Sequence, residues 1–462
     1  MSNVLNIEEL TRSLRKGNKF EHKKDKKIVL LPFTTREPER PKYKNGFKAI
    51  VGEFSRIIAN VKIDGDQDIK DIIEEICQKV SIQDEADKKE FRRIVESYLL
   101  DENHNVKVTS PGWFCLLPLS KNKEQLGERK TGKFLSDVLL TGEVSNRLLR
   151  ESPSADSNIL TKLIDSSLHY QKLDGERQRE YHSLLPYVSE TFTEDFEWLE
   201  TQPKLFIQHY EKLLYYYFFF YISQLGLKLN QFTKADYTAV TPVYYTLDWE
   251  KTSRRRKGYE FGWNMIKEVG TDILVHVYTL EQLNYFDNPD SPLSYVGLDQ
   301  HISDPDAFSQ SVSQWIDIYK SNFMDIISQQ EWDKLNLSDE KTVEAMVQNL
   351  YKTILYQFKN NDYSSLSRYQ RWFEQTVSLY LSKPRGQLGR MLNINQDFLM
   401  FLTLVSLKNK KAPLKELFKE FEKRGVYFDQ FSQQEIIELF DRLNLLEKKS
   451  DSGDAQYVKP IL

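Results

Sequence analysis

Few places in this 462-residue sequence set reactive side chains at a spacing that chemistry could use. Asp248 and Glu250 stand two apart with Lys251 beside them, a pattern that in a metal-dependent nuclease would hold Mg²⁺ near a lysine. On a strand the two acids share a face, but no upstream acid completes the set, and a surface charge pair explains them more simply. In "GERKTGKF", Gly127, Gly132 and Lys133 have phosphate-loop spacing. Phe134 stands where a hydroxyl would hold Mg²⁺ and no apolar strand leads in, so the expectation is a basic loop capping a helix. Asp64, Asp66, Asp68 and Glu75 fall at calcium-loop offsets, yet Ile69 replaces the turn glycine and helix capping explains the acids. The seven histidines are scattered without metal-ligand spacing. No catalytic residue, metal site or cofactor is therefore expected, and function must lie in binding surfaces.

Charge points to those surfaces. Net charge is −4, but Arg12 to Lys48 holds 13 Lys or Arg against 4 Asp or Glu, so this arm carries +9 and the remainder −13. Basic islands attract phosphate, since each neutralised phosphate releases counterions. Equally, such an island can pair with acids of its own chain. Lys23, Lys24, Lys26 and Lys27 are the arm's densest cations. A second group, Arg254, Arg255, Arg256 and Lys257, follows Lys251 and precedes Tyr259, Phe261 and Trp263. Cations interleaved with rings on an irregular loop can grip a backbone and stack on bases; a charged loop over an aromatic core gives the same pattern.

The elements that position these groups read as mostly helical. An apolar fraction of 40% with 29% charged residues is that of a folded protein. The 25 Tyr, 27 Phe and 7 Trp suit bulky helical cores. "LLYYYFFFYI" (213–222) is about half the ~20 apolar residues a bilayer span needs, so it reads as a buried helix. Two cysteines and an N-terminus without signal-peptide features suggest the cytoplasm.

Ile28–Phe33, broken by Pro32, suits an edge strand or extended arm. Helices are expected over about 47–60 and through Ile69, Ile72, Ile73, Ile76 and Val80, then through Phe91, Ile94, Val95 and Tyr98. "KVTSPGWFCLLPLSKN" breaks the rhythm and reads as strand and loop. Helices resume near 204–225, 309–325, 340–358 and 365–381, interrupted by an alternating, strand-like Val243–Trp249.

"SKPRGQLGRML" from Ser382 reads as a hinge into a small module. There, a helix over 396–407 is followed by one opened by Pro413 and stopped by Gly425. A third is started by a Ser432–Glu435 capping box and buries Ile436, Ile437, Phe440 and Leu443. Two strands about "SDSGD" complete the order of a winged helix. Such folds often place the third helix in the DNA major groove, but residues 395–462 hold 11 basic and 11 acidic residues, so protein docking and DNA contact stay open. Lys448, Lys449 and Lys459 are the module's candidates for DNA.

The phrases "LRKGNKFEHKKDKKIVLLPF", "YYTLDWE" with its basic successor, and "EFEKRGVYFDQFS" with the closing "LLEKKSDSGDAQYVKPIL" are familiar together. In them, and in length and segment order over most of the chain, the sequence resembles the DptG family of DNA phosphorothioation-dependent restriction proteins. The resemblance implies a subunit of a bacterial anti-phage system that attacks DNA lacking a sulfur-for-oxygen mark. It would work beside DptF-like and DptH-like partners that supply ATPase and translocase functions. The expected protein is mainly α and multi-domain: a basic arm with a helical and strand domain over 1–150, an aromatic-rich helical domain over 151–385, and a winged helix over 390–462.

Overall fold

A computed structural model describes residues 4–17, 19–22, 27–32, 37–63, 69–140, 159–167, 170–172, 178–286, 292–448 and 456–461. The fold is mainly helical, with short strands in four small sheets among these residues. None of the described helices is long and apolar enough to cross a membrane. By internal contact the chain divides into two units built from separate segments: Met1–Leu31 with Tyr181–Thr191 and Phe219–Leu462, and Pro32–Glu180 with Phe192–Phe218. This is a different partition from three consecutive domains. The basic arm is split at Leu31, and the helix Pro203–Leu229 contributes residues to both units.

In the unit that includes Pro32–Glu180, the Ile69 stripe forms as expected. Helix Ile69–Lys79 buries Ile72, Ile73 and Ile76 against Val95 and Leu99 of helix Glu85–Leu99 and Ile164 of helix Ile159–Ser167. Ile94, expected on that buried face, is 51% exposed. "SPGWFCLL" departs from the strand-and-loop expectation: Pro111–Leu116 is a 3-10 helix that buries Trp113, Phe114, Cys115 and Leu116. Its carbonyls are not left orphaned, because Arg56 donates to the Cys115 and Leu117 oxygens at 2.9 and 2.8 Å, and Trp113 Nε1 donates to Asp165. Around it, Tyr210 packs at 4.3 to 6.4 Å between ring centroids on Phe206, Phe114, Phe196 and Phe54.

"GERKTGKF" is not a loop. It lies inside helix Gln125–Leu139, which packs on helix Lys48–Ile58. A Cβ on Gly127 would sit 2.5 Å from Pro41 Cδ and 2.6 Å from the Glu39 carbonyl, so this glycine permits a close backbone approach. Lys133 pairs with Glu180 at 2.6 Å. The spacing that imitates a phosphate loop thus has a packing origin.

In the other unit, helix Val269–Leu283 lies among helices Val343–Asn361 and Tyr363–Val377, and helix Pro305–Ser321 packs on the former of these two. Their starts are legible: Asp304, before Pro305, accepts the Ala307 N–H, and Thr342 accepts that of Ala345. The N-terminal segment is tied down here. Asn6 N–H donates to the Tyr285 carbonyl, and the N–H groups of Lys27 and Ile28 donate to the Glu281 carboxylate at 3.0 and 3.2 Å. Ile28–Leu31 is largely buried and forms no strand among the described residues, and Phe33, the end of the expected edge strand or arm, lies outside them.

Strands Ser382–Pro384 and Arg390–Ile394 pair antiparallel, and Thr246–Leu247 joins the latter in parallel. The expected hinge is therefore an ordered hairpin, and the strand expected over Val243–Trp249 reaches only two residues. Beyond it, helix Gln396–Leu407, strand Ala412–Pro413, helices Leu414–Lys423 and Gln430–Arg442, and strands Leu446–Lys448 and Gln456–Val458 follow in order. The last strand lies between the other two, antiparallel to both. Gly425, at φ +79°, ends the second helix. The third departs in two ways: Asp429, not Ser432, caps it by accepting the Ser432 N–H at 3.0 Å, and Leu443 is 41% exposed. Asp429 places the cap three residues earlier than the Ser432–Glu435 box.

Gly127→Ala, although alanine is the better helix former, should lower stability by about 1–3 kcal/mol, read as a lower urea midpoint; an unchanged or higher midpoint contradicts the close approach. Two buried imidazoles give a pH dependence. His276 is fully buried between the Tyr295 hydroxyl and Asn230 Oδ1, and burial pushes it down to about 3. Burial likewise pushes His22 down to about 4 against the opposing Gln357 hydrogen bond. Both folded values lie below the ordinary 6.5, so the unfolded chain binds more protons, and the stabilisation present above 6.5 is lost as pH falls toward 4. The loss should reach about 1.4 kcal/mol per pH unit for each histidine. The thermal midpoint should fall between pH 7 and 5, and fall less in His276→Gln; equal shifts in both proteins would refute the assignment.

Candidate nucleic-acid interface

The basic loop is placed by hydrogen bonds on both sides of its approach strand. Tyr245 N–H donates to the Tyr427 carbonyl and Tyr427 N–H to that of Val243, while Asp248 N–H donates to Ile394. The chain therefore enters the loop pinned to the segment just before helix Gln430–Arg442. After Glu250 it turns back, and Tyr259–Trp263 is a kinked turn in which Phe261 and Gly262 leave helical geometry.

Arg256 is the loop's anchor, which corrects its place among the expected phosphate contacts. It is 8% exposed, and its guanidinium binds Asp429 in a bidentate pair, Nε to Oδ2 at 2.6 Å and Nη2 to Oδ1 at 2.7 Å. Nη2 also donates to Ser432 Oγ at 2.9 Å and to Glu250 Oε1 at 3.3 Å, and Nη1 to the Lys251 carbonyl. A desolvated cation with its donors so occupied cannot also hold a phosphate. Burial pushes the Asp429 carboxyl up, but the Arg256 hydrogen bonds and the Ser432 N–H outweigh it and hold the group below the ordinary carboxylate range. Burial of Glu250 prevails over its partners and raises it.

Around this anchor lie the loop's other candidates. Lys251, Arg254 and Arg255 are exposed and form no ion pair among the described residues. Lys257 is exposed with Nζ 5.1 Å above the Tyr244 ring. Tyr244 in turn lies 5.7 Å from Tyr427 and 6.3 Å from Phe261. Phe431, in the first turn of the capped helix, is 67% exposed, with the Arg256 guanidinium 4.8 Å from its ring centre. The loop and the third helix of the C-terminal segment thus form one surface. No signal in the sequence marks Phe431 or Asp429, which both lie more than 170 positions beyond Arg256.

The remaining candidates lie elsewhere. Lys23, Lys24, Lys26 and Lys449 lie outside the described residues, as do Asp64, Asp66 and Asp68 and the "SDSGD" tip. Lys27 pairs with Glu9 at 3.0 Å and lies over Tyr285; Arg12, Lys16 and Lys42 also face carboxylates, so much of the described arm is charge-paired within the chain. The Lys448 backbone pairs with Gln456 in the sheet, and Lys459 Nζ donates to the Asn444 carbonyl and side chain.

The nuclease pair does not converge. Asp248 accepts from Asn393 and Lys383 at 2.6 and 3.1 Å, whereas Glu250 turns to Arg256. Among the described residues no three His, Cys, Asp or Glu side chains are grouped to hold a metal ion. Comparison with protein-family models and with curated proteins finds no match for the chain.

If Arg256 is the anchor, Arg256→Ala leaves two buried carboxylates facing each other. It should cost about 3–5 kcal/mol, and pairing it with Asp429→Asn should recover part of that loss; equal denaturation midpoints for wild type and the single variant would dismiss the role.

Proposed function

We propose that this chain is a non-catalytic, DNA-engaging subunit of a bacterial phosphorothioation-dependent restriction system, with ATPase and translocase steps carried by DptF-like and DptH-like partners in the cytoplasm. Its C-terminal segment acts in this reading as a winged helix. The segment's order supports that: helix, strand, two helices, then two strands, with the last strand central in the sheet. The family assignment rests on the resemblance of the sequence phrases.

One observation carries the DNA reading. The bidentate Arg256–Asp429 pair joins a loop bearing four exposed cations, Lys251, Arg254, Arg255 and Lys257, to the N-terminal turn of the third helix. Two acids of this surface, Glu250 and Asp429, are both engaged by Arg256, and the exposed Glu260 forms no ion pair with the loop's cations among the described residues, so the cations stay available to phosphate. The helix body beyond, with Glu438 and Asp441 exposed, would repel phosphate, which directs a backbone toward the helix start.

Anisotropy titrations of labelled DNA against the full chain test this. Binding should weaken steeply between about 50 and 200 mM salt, and Arg254→Glu, Arg255→Glu and Lys257→Glu combined should flatten the log–log salt slope by about 3. Equal slopes for the triple variant and the wild type would remove the loop. Co-purification with partner subunits but no DNA retention at low salt would replace the reading with a protein scaffold.

A further inference from the structure

We propose that Phe431 is a stacking platform for an unpaired base, so that the preferred ligand of this surface is single-stranded DNA or the single-stranded side of a junction. The inference rests on the DNA reading above and names its substrate class. A phenylalanine 67% exposed in the first turn of a helix contributes little to the core. Yet its ring is not left to swing. The Arg256 guanidinium lies 4.8 Å from the ring centre, and that guanidinium is itself fixed by Asp429, Ser432, Glu250 and the Lys251 carbonyl. A cation–ring contact to a buried arginine held by two carboxylates, a hydroxyl and a carbonyl restrains the ring while most of it faces solvent. Such a ring loses little side-chain freedom when a base settles on it.

Charge selects the occupant. The neighbouring cations Lys251, Arg254 and Arg255 have no acidic partner among the described residues, so whatever covers Phe431 meets positive charge. An apolar protein surface would have to bury those charges unpaired, whereas a nucleotide brings a phosphate for the cations and a π-face for the ring. The pairing recurs nearby, where Lys257 lies over Tyr244 beside Tyr427 and Phe261. In a closed duplex the base faces already stack on each other, and Phe431 would gain a partner only by wedging a step open at a cost of a few kcal/mol. A single strand avoids most of that cost.

The experiment compares a single strand, a blunt duplex of the same sequence and a duplex with a single-stranded overhang, each titrated against the full chain at one salt concentration. Wild type should bind the single strand and the overhang about tenfold tighter than the blunt duplex, and Phe431→Ala should collapse that ratio toward one. Phe431→Tyr should keep it. Phe431→Trp adds a reporter: its emission, taken over the wild-type background, should be quenched by the single strand. Equal affinity of wild type for all three probes, or an equal loss on all three in Phe431→Ala, or no quenching of the added tryptophan, would overturn the stacking role while leaving DNA binding in place. Failure of every probe to bind at low salt would overturn both.

Discussion

A single buried cation sets the geometry of the candidate surface. Burying a guanidinium is unfavourable unless its donors are met by acceptors, and Arg256 meets a bidentate carboxylate, a second carboxylate, a hydroxyl and a carbonyl. Asp429 has two roles in that arrangement, because the same carboxylate accepts the Ser432 N–H that starts the helix. Where the helix begins and where the loop rests are therefore one structural decision. Changes at either end are transmitted to the other, and the exposed cations inherit their positions from a residue that contributes no free charge itself.

The aromatic wealth of the chain answers a different constraint. In helix Pro203–Leu229 successive Tyr and Phe side chains are buried, and the phenol groups still need partners. Tyr217 donates to Asp195 at 2.7 Å, the Ser55 hydroxyl donates to Tyr210, and the Leu184 N–H donates to Tyr221. Each ring fills volume while its hydroxyl fixes a neighbouring segment, so these tyrosines specify packing as well as filling it.

Local signals made much of this legible from sequence. Ile72, Ile73 and Ile76 show helical periodicity and Gly425 marks a stop, and each acts within a few residues; the Asp304–Pro305 start, four residues before the expected 309, went unread. What escaped depends on long-range contact. Gly127 and Gly132 look like a phosphate loop until Pro41 and Glu53 come close to them. The Pro111–Leu116 turn is helical because buried carbonyls find Arg56, some sixty positions away. Ser432 and Glu435 spell a capping box, but Asp429 takes the cap because it also holds Arg256. At the candidate site, the run Arg254–Lys257 was visible as a basic stretch, whereas nothing local separates the one arginine that turns inward from the two that stay in water.

The discontinuity of the units bears on how the polypeptide is made. The segment Met1–Leu31 is synthesised well before its partners, Glu281, Tyr285 and Phe286, which lie in the second half of this sequence. At ordinary elongation rates those partners appear on the order of ten seconds or more later. During that interval Leu10, Leu14, Ile28 and Leu30, all buried at the end, lack those partners. Until the later helices arrive, the nascent chain thus carries this apolar and cationic segment without the residues it packs on in the folded unit.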